Sequence, residues 1–499
     1  GGDAVTGNTL KVTSSNNSTN TIDNFQKMQF DLNSGVNSGD TMLTVGAQNS
    51  AQTFDWSNIS VTGASDWMSG ATGTKRVTLY TGPSLTLNHY DVSNSSHTVG
   101  DFEYGLNADT TGTGTVNATK IYFDGNKFQN AEVTQASSGG GILYAGTSTL
   151  GNTTNHNKLT LKGEWNASGT AVYGGYTQSL AGDSTNNEIV ITNGGYVYYG
   201  NTYGGYTAGS GKAINNTITL SGTYGNAVSY MHLYGGYSAG GGDAVTGNTL
   251  KVTSSNNSAN TINNFQKMQF DLNAGVNSGA TMLSVAAAGN ATTFDWGDIS
   301  VTGASDWMSG ATGTKRVTLY TGPSLTLNNY DVSNSSHTSG DFEYGLNTDT
   351  TGTGSTVTAS KIYFDGNKFQ NAEVTQASSG GGTLYAGTST LGNTTNHNKL
   401  TLKGEWNASG TAVYGGYTQS LAGDSTNNEI VITNGGYVYY GNTYGGYTAG
   451  SGKAINNTIT LSGTYGNAVS YMHLYGGYSA GGGDAVTGNT LKVTSSNNS

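Results

Sequence analysis

The feature that most constrains this chain is its own repetition. Residues 1–240 recur as 241–481 with 18 substitutions and one inserted residue, Ser355, and residues 482–499 open a third copy. From Leu143 to Gly240 the second copy, Leu384 to Gly481, is identical at every position. A finer period runs inside each copy. A motif-opening tyrosine falls at Tyr144, Tyr173, Tyr203 and Tyr234, in steps of 29, 30 and 31 residues. The asparagine that begins the next apolar run falls at Asn157, Asn187, Asn216 and Asn248. A unit repeating at this spacing cannot bury its apolar face alone, so the chain must fold as a stack of similar units.

The runs are "NKLTL", "NEIVI", "NTITL" and "NTLKV". Leu159 and Leu161, Ile189 and Ile191, Ile218 and Leu220, and Leu250 and Val252 share one parity, as in strands with a single buried face. No stripe of helical period competes with them. The expectation is an all-β chain, a single-stranded parallel β-helix (β-solenoid) with coils of about 30 residues. With coils stacked at the strand spacing of about 4.8 Å, a repeat would hold roughly eight coils and rise about 40 Å. The domains expected are residues 1–240, their near-identical copy 241–481, and the start of a third at 482–499. Neither end carries an atypical cap of the kind solenoids need, so neighbouring segments are expected outside this stretch.

The repeated residues have structural readings. Asn216 shares the parity of Ile218 and Leu220 and should point inward. A buried amide is costly unless bonded, and stacked coils let each Asn donate to the next, giving a ladder through Asn157, Asn187, Asn216 and Asn248. The glycine pairs Gly174–Gly175, Gly204–Gly205 and Gly235–Gly236 are expected where the coil bends, supplying positive φ or room for close backbone. No lysine–serine pair follows them, so a phosphate-binding loop is not indicated. Tyr144, Tyr173, Tyr203 and Tyr234 are expected to stack outward along the coils, as a stiffening column or as a platform for a ligand or a neighbouring fibre. Tyr176, Tyr206 and Tyr237 form a second column whose facing the alternation does not fix.

The first half of each copy is less regular. Met28, Phe30 and Leu32 share a strand face, Met42, Leu43 and Val45 form the next apolar segment, and "TFDWSNISVTG", "KRVTLYTG" and "KIYFDGN" read as further strands. A projecting elaboration is expected there, and 16 of the 18 substitutions fall within residues 23–119. Chemistry has few candidates. Asp101 and Glu103, repeated as Asp341 and Glu343, would share a strand face as glycosidase carboxylates must, but a solvated acidic strand is the simpler reading. Lys75–Arg76 is the only basic pair of the first copy, and His89, His97, His156 and His232 lack metal-ligand spacing. The "GGDAVTGN" turns at Asp3, Asp243 and Asp484 lack the tandem of calcium-binding repeats. The reading is of no enzyme, no metal and no cofactor.

A net charge of −11 with only two arginines, Arg76 and Arg316, speaks against nucleic acid. No cysteine is present, so there is no disulfide framework. No apolar run approaches the roughly 18–20 residues of a membrane helix, so no membrane insertion is expected in this segment.

The run "NTIDNFQKMQFDLNSGVNSGDTMLTV", followed by "DWSNISVTG" and the "YGGY…GNTLKV" coils, resembles the repetitive passenger regions of large bacterial type V autotransporter adhesins. The likeness covers essentially the whole chain and rests on repeat grammar. It implies a right-handed parallel β-helix, exported across the outer membrane and displayed at the cell surface. The function expected is a structural and adhesive extracellular fibre, with a glycan-binding lectin and a polysaccharide-active enzyme as alternatives. Partners would be neighbouring repeats, laterally associated copies, and a host or bacterial surface glycan or protein.

Overall fold

The computed structural model describes residues 6–178, 182–223, 230–350, 355–419, 422–466, 471–482, 486–496 and 498. Strand makes up 54% of the chain and helix 5%, as the alternation requires. Two compact units emerge, the first built mainly on residues 1–252 and the second mainly on 292–499.

In the first unit the asparagine runs form one parallel sheet. Its strands are Glu132–Gln135, Lys158–Leu161, Glu188–Thr192, Thr217–Ser221 and Thr249–Val252. The register sets Leu159 beside Ile189, Ile189 beside Ile218 and Ile218 beside Leu250. A second parallel sheet carries the tyrosines, on Leu143–Ser148, Ala171–Thr177, Asn201–Thr207 and His232–Ser238. A third, narrow one joins Gly139–Gly140, Glu164–Asn166 and Tyr196–Tyr198. Successive coils thus supply successive strands to each face, which is a β-solenoid.

Parity decides what fills the interior. Leu159, Leu161, Ile189, Ile191, Ile218, Leu220, Leu250 and Val252 are wholly buried, together with Val172 and Leu233 from the tyrosine sheet. Each such side chain contributes about 1.5–3 kcal/mol by leaving water. On the outer face Lys158 and Glu188 meet across adjacent coils at 3.0 Å.

The coil turns sharply just before each inner asparagine. His156, Asn186 and Asn215 take φ of 53°, 54° and 57°, and Gly247 takes 70°. Asparagine, histidine and glycine are the residues that best tolerate this left-handed region.

Between the coils lies an antiparallel block. Thr74–Tyr90 pairs antiparallel with Gly114–Lys127, which pairs with Phe102–Ala108, and that strand pairs with His97–Val99. The coil strands Thr41–Val45 and Thr53–Asp55 join the same sheet in parallel. Met28, Phe30, Leu32, Met42, Trp67 and Phe123 share one core, so the block is welded to the coils before it. Its strands reverse direction and add no coil to the long sheets, so each copy holds seven strands of that face, close to the eight expected. From Thr9 the long sheets supply three parallel strands before the block and four after it, and the next copy begins at Thr249.

The second unit repeats this plan. Its asparagine-run strands are Glu373–Gln376, Lys399–Leu402, Glu429–Thr433, Thr458–Ser462 and Thr490–Val493, all parallel. Its block pairs Thr314–Asn328 with Thr356–Lys368, which pairs in turn with Phe342–Thr348.

Candidate functional site

Each inner asparagine of the first unit is at most 1% exposed. Asn157 Nδ2 donates to Asn187 Oδ1 at 2.8 Å, Asn187 Nδ2 to Asn216 Oδ1 at 3.0 Å, and Asn216 Nδ2 to Asn248 Oδ1 at 3.3 Å. The same oxygens accept the backbone N–H of the preceding asparagine, at 3.1, 3.0 and 2.9 Å. A carbonyl of the coil takes a further bond from each amide, Asn216 Nδ2 donating to Ser184 O at 3.0 Å. The ladder therefore answers backbone donors at the sharp corners as well as its own amides. It starts at Ala131, whose N–H donates to Asn157 Oδ1 at 3.0 Å. In the second unit Asn398, Asn428, Asn457 and Asn489 repeat it at 2.8, 2.9 and 3.1 Å.

Of the two expected reasons for the paired glycines, positive φ fails and room for close neighbours holds, with side chains as well as backbone approaching them. Gly174, Gly175, Gly204, Gly205, Gly235 and Gly236 lie within strands, and none of them has positive φ. They are the surface on which the ladder rests. A Cβ on Gly175 or Gly205 would collide with the amide of Asn187 or Asn216, and one on Gly235 or Gly236 would come within 2.7 Å of Asn248. A Cβ on Gly174 or Gly204 would meet the carbonyl of the corresponding glycine in the next coil. The pairing also skips Gly174 while joining Tyr173 to Tyr203 and Gly175 to Gly205. A Cβ on either Gly174 or Gly175 would point toward Asn187, so the alternation breaks between them while the register holds, and Tyr173 and Tyr176, three residues apart, share one face.

The tyrosines form a double column on that outer face. Tyr144, Tyr173 and Tyr203 stack with centroids 5.3 and 5.4 Å apart, and Tyr234 follows at 4.8 Å. Tyr176, Tyr206 and Tyr237 stack at 5.2 Å. The columns interlock edge to face, Tyr173 with Tyr176 at 4.9 Å and Tyr203 with Tyr206 at 5.1 Å. Each such pair adds about 0.5–1.5 kcal/mol beyond burial. The first column is consequently no open platform, since Tyr173 and Tyr203 keep only 9% and 8% of their surface. Burial pushes the phenols of Tyr144 and Tyr203 up to about 12, and that of Tyr173 higher still. The outermost rings are those of the second column, with Tyr237 exposed.

The alternation gave no hint of a further cluster on the narrow sheet. Tyr198 packs on Tyr199 at 5.0 Å, and Tyr230 lies 6.1 Å from Tyr199. Tyr199 is 66% exposed and has φ of 58°, an uncommon backbone for a bulky residue. Tyr440 repeats both properties. The signal available was the run "YVYY" directly before a Gly-Asn corner.

The carboxylate pair considered for catalysis separates. Glu103 is not solvated but wholly buried. It accepts from Asn126 Nδ2 at 2.9 Å, Ser148 Oγ at 2.7 Å, Thr149 N at 2.6 Å and Asn152 Nδ2 at 2.8 Å. It thereby joins the antiparallel block to the first coil after it. Asp101 accepts from Gln129 and Asn130, at the block's edge. Arg76 makes a two-pronged pair with Asp124 at 2.6 and 2.8 Å, and Lys75 donates to the Trp67 carbonyl. Asp243 caps its own turn through the N–H groups of Val245 and Thr246, whereas Asp3 and Asp484 lie outside the described residues. Among the described residues no three metal-ligating side chains converge.

No protein-family model matches this chain, and no curated protein or solved structure matches it significantly.

Proposed function

We propose that the chain is a shaft segment of a bacterial surface fibre, exported across the outer membrane, which serves attachment or self-association. The observation that supports this is the coil-by-coil recurrence of one device. An inner asparagine ladder resting on paired glycines, backed by an interlocked tyrosine face, appears in both units with nearly the same distances. These features stiffen a stack and require neighbouring coils as their partners. The low charge and net acidity suit a protein that must stay dispersed while it presents a long surface. Laterally associated copies and a surface glycan or protein are the partners of this reading.

Two measurements test it. Electron micrographs of chains carrying one, two and three copies should show length growing by a constant step per copy, and a length indifferent to copy number would refute the shaft. Beads coated with the folded chain should adhere to host or bacterial cells, or cluster together. Behaviour no different from beads coated with denatured chain would remove the adhesive role.

A further inference from the structure

An open cleft lies between the coil strand Ile59–Thr62 and the antiparallel block, and it occurs once in each unit. Its volume is about 610 Å³ in the first unit and about 350 Å³ in the second, within the range of small-ligand sites. One side is apolar, with Trp56, Ile59, Tyr104 and Phe123, matched by Trp296, Ile299, Tyr344 and Phe364. The rim is polar and carries Asp55, with Ser60, Ser95 and His97 matched by Ser300, Ser335 and His337. No lysine or arginine lines either cleft.

Two details separate this cleft from ordinary packing. The indole N–H of Trp56 is buried with no hydrogen-bond partner, and so is that of Trp296. A buried donor left unsatisfied is costly, and finding the same one twice in a cleft wall points to a partner from outside the fold. The second detail is a substitution that preserves geometry. His89 Nδ1 lies 2.7 Å from Asp55 Oδ2, and in the second unit Asn329 Nδ2 donates to Asp295 Oδ2 at 2.6 Å. Both residues hold the left-handed conformation, with φ of 53° and 52°. Ser57 becomes Gly297, yet the backbone N–H at that position still donates to the carboxylate at 3.1 Å. What the two copies share is a fixed carboxylate and aromatic walls, while the Ser57 hydroxyl and the His89 imidazole are replaced.

We infer that each cleft binds a ring of a neutral saccharide. A pyranose offers a C–H face to the partly exposed ring of Tyr104, above a floor that includes the buried Trp56, and hydroxyls to Ser60, His97 and the indole N–H. Anionic sugars find no lysine or arginine, and they would face Asp55, whose carboxyl the Ser57 and His89 donors hold below the usual range. Cations are disfavoured because Asp55 is already engaged by those donors. The site is distinct from the tyrosine columns, and it does not depend on surface display.

The test uses the purified 499-residue chain on an array of neutral hexose and N-acetylhexosamine oligomers, followed by calorimetric titration with the oligomer that binds most strongly. Two equivalents per chain are expected, one for each cleft. Ser60→Trp, at an exposed wall position, should leave one equivalent, and Ser60→Trp with Ser300→Trp should leave none. Tyr206→Ala with Tyr447→Ala, in the second tyrosine column, should leave both. Tyr104→Leu with Tyr344→Leu provides an independent variant, expected to weaken binding about tenfold or more, with unaltered melting as the check on folding. Absence of binding to every neutral oligomer would overturn the inference, as would two equivalents surviving the doubly blocked clefts. Either failure leaves the fibre reading standing, because that reading is tested by length and adherence.

Discussion

Replacing Asn216 by leucine isolates the contribution of the ladder, because the two side chains are similar in size. The Asn187 N–H and Nδ2 both lose the Asn216 Oδ1 acceptor, and Ser184 O and Asn248 Oδ1 each lose a donor. An orphaned buried donor costs about 1–3 kcal/mol, and each of the three further lost bonds about 0.5–1.5 kcal/mol, so the expected loss is about 2.5–7.5 kcal/mol. The second unit, whose ladder through Asn457 is untouched, serves as an internal reference. Urea unfolding should therefore resolve an early component from the first unit, with the later one unmoved. Hydrogen exchange at the Asn187 amide should quicken by about a hundredfold for a 3 kcal/mol loss. Asn457→Leu should transfer both effects to the second unit. An unchanged urea midpoint together with unchanged protection at Asn187 would refute the ladder as a source of stability.

The other expectations concern neighbouring features. Gly205→Ala drives a methyl into the Asn216 amide and should destabilise the first unit measurably in the same urea assay, whereas Gly73→Ala, with open space around it, should stay within about 0.5 kcal/mol of the parent. Glu103→Gln places an amide donor among donors from Asn126, Ser148, Thr149 and Asn152, and should cost about 1–3 kcal/mol, read as faster exchange at the Thr149 amide. The tyrosine columns set an alkaline limit. The folded state holds the phenolic protons of Tyr144 and Tyr203 up to about 12, while an unfolded chain releases them near the ordinary value of about 10. Stability is thus fully present below pH 10 and is lost as pH rises toward 12, which ultraviolet titration alongside urea midpoints will follow.

Much of the coil was legible because parity is a local property. Asn216, Ile218 and Leu220 alternate with polar residues, and that pattern alone placed an amide in the interior and called for a stacked partner. The corner residues were also written in the sequence, as the His156, Asn186, Asn215 or Gly247 preceding each ladder asparagine. They were overshadowed by the more conspicuous glycine pairs, whose real constraint is the side chain lying on them from a distant position. The direction of the block strands was not legible, since Thr74–Tyr90 alternates alike whether its neighbour runs parallel or antiparallel. Its 17 residues, too long for one face of a 30-residue coil, were the available warning. Glu103 was misread for a related reason. Most of its donors are 45 or more residues away, so "GDFEYG" gave no sign that the carboxylate would be enclosed.

The hydrogen bonds that join one coil to the next all run along the stacking direction, and this has a mechanical consequence. A pull along that direction passes through the coils in series, so resistance is set by the weakest junction and does not accumulate with the number of coils. The coil-to-coil junctions after the block are nearly uniform, with paired strands, one asparagine rung and stacked rings. The exception is the passage from antiparallel block to coil, where the long asparagine-run sheet is interrupted and Glu103 gathers its donors. Under tension, each 240-residue repeat should yield there first, leaving its coils intact as a reserve of length to be drawn out later.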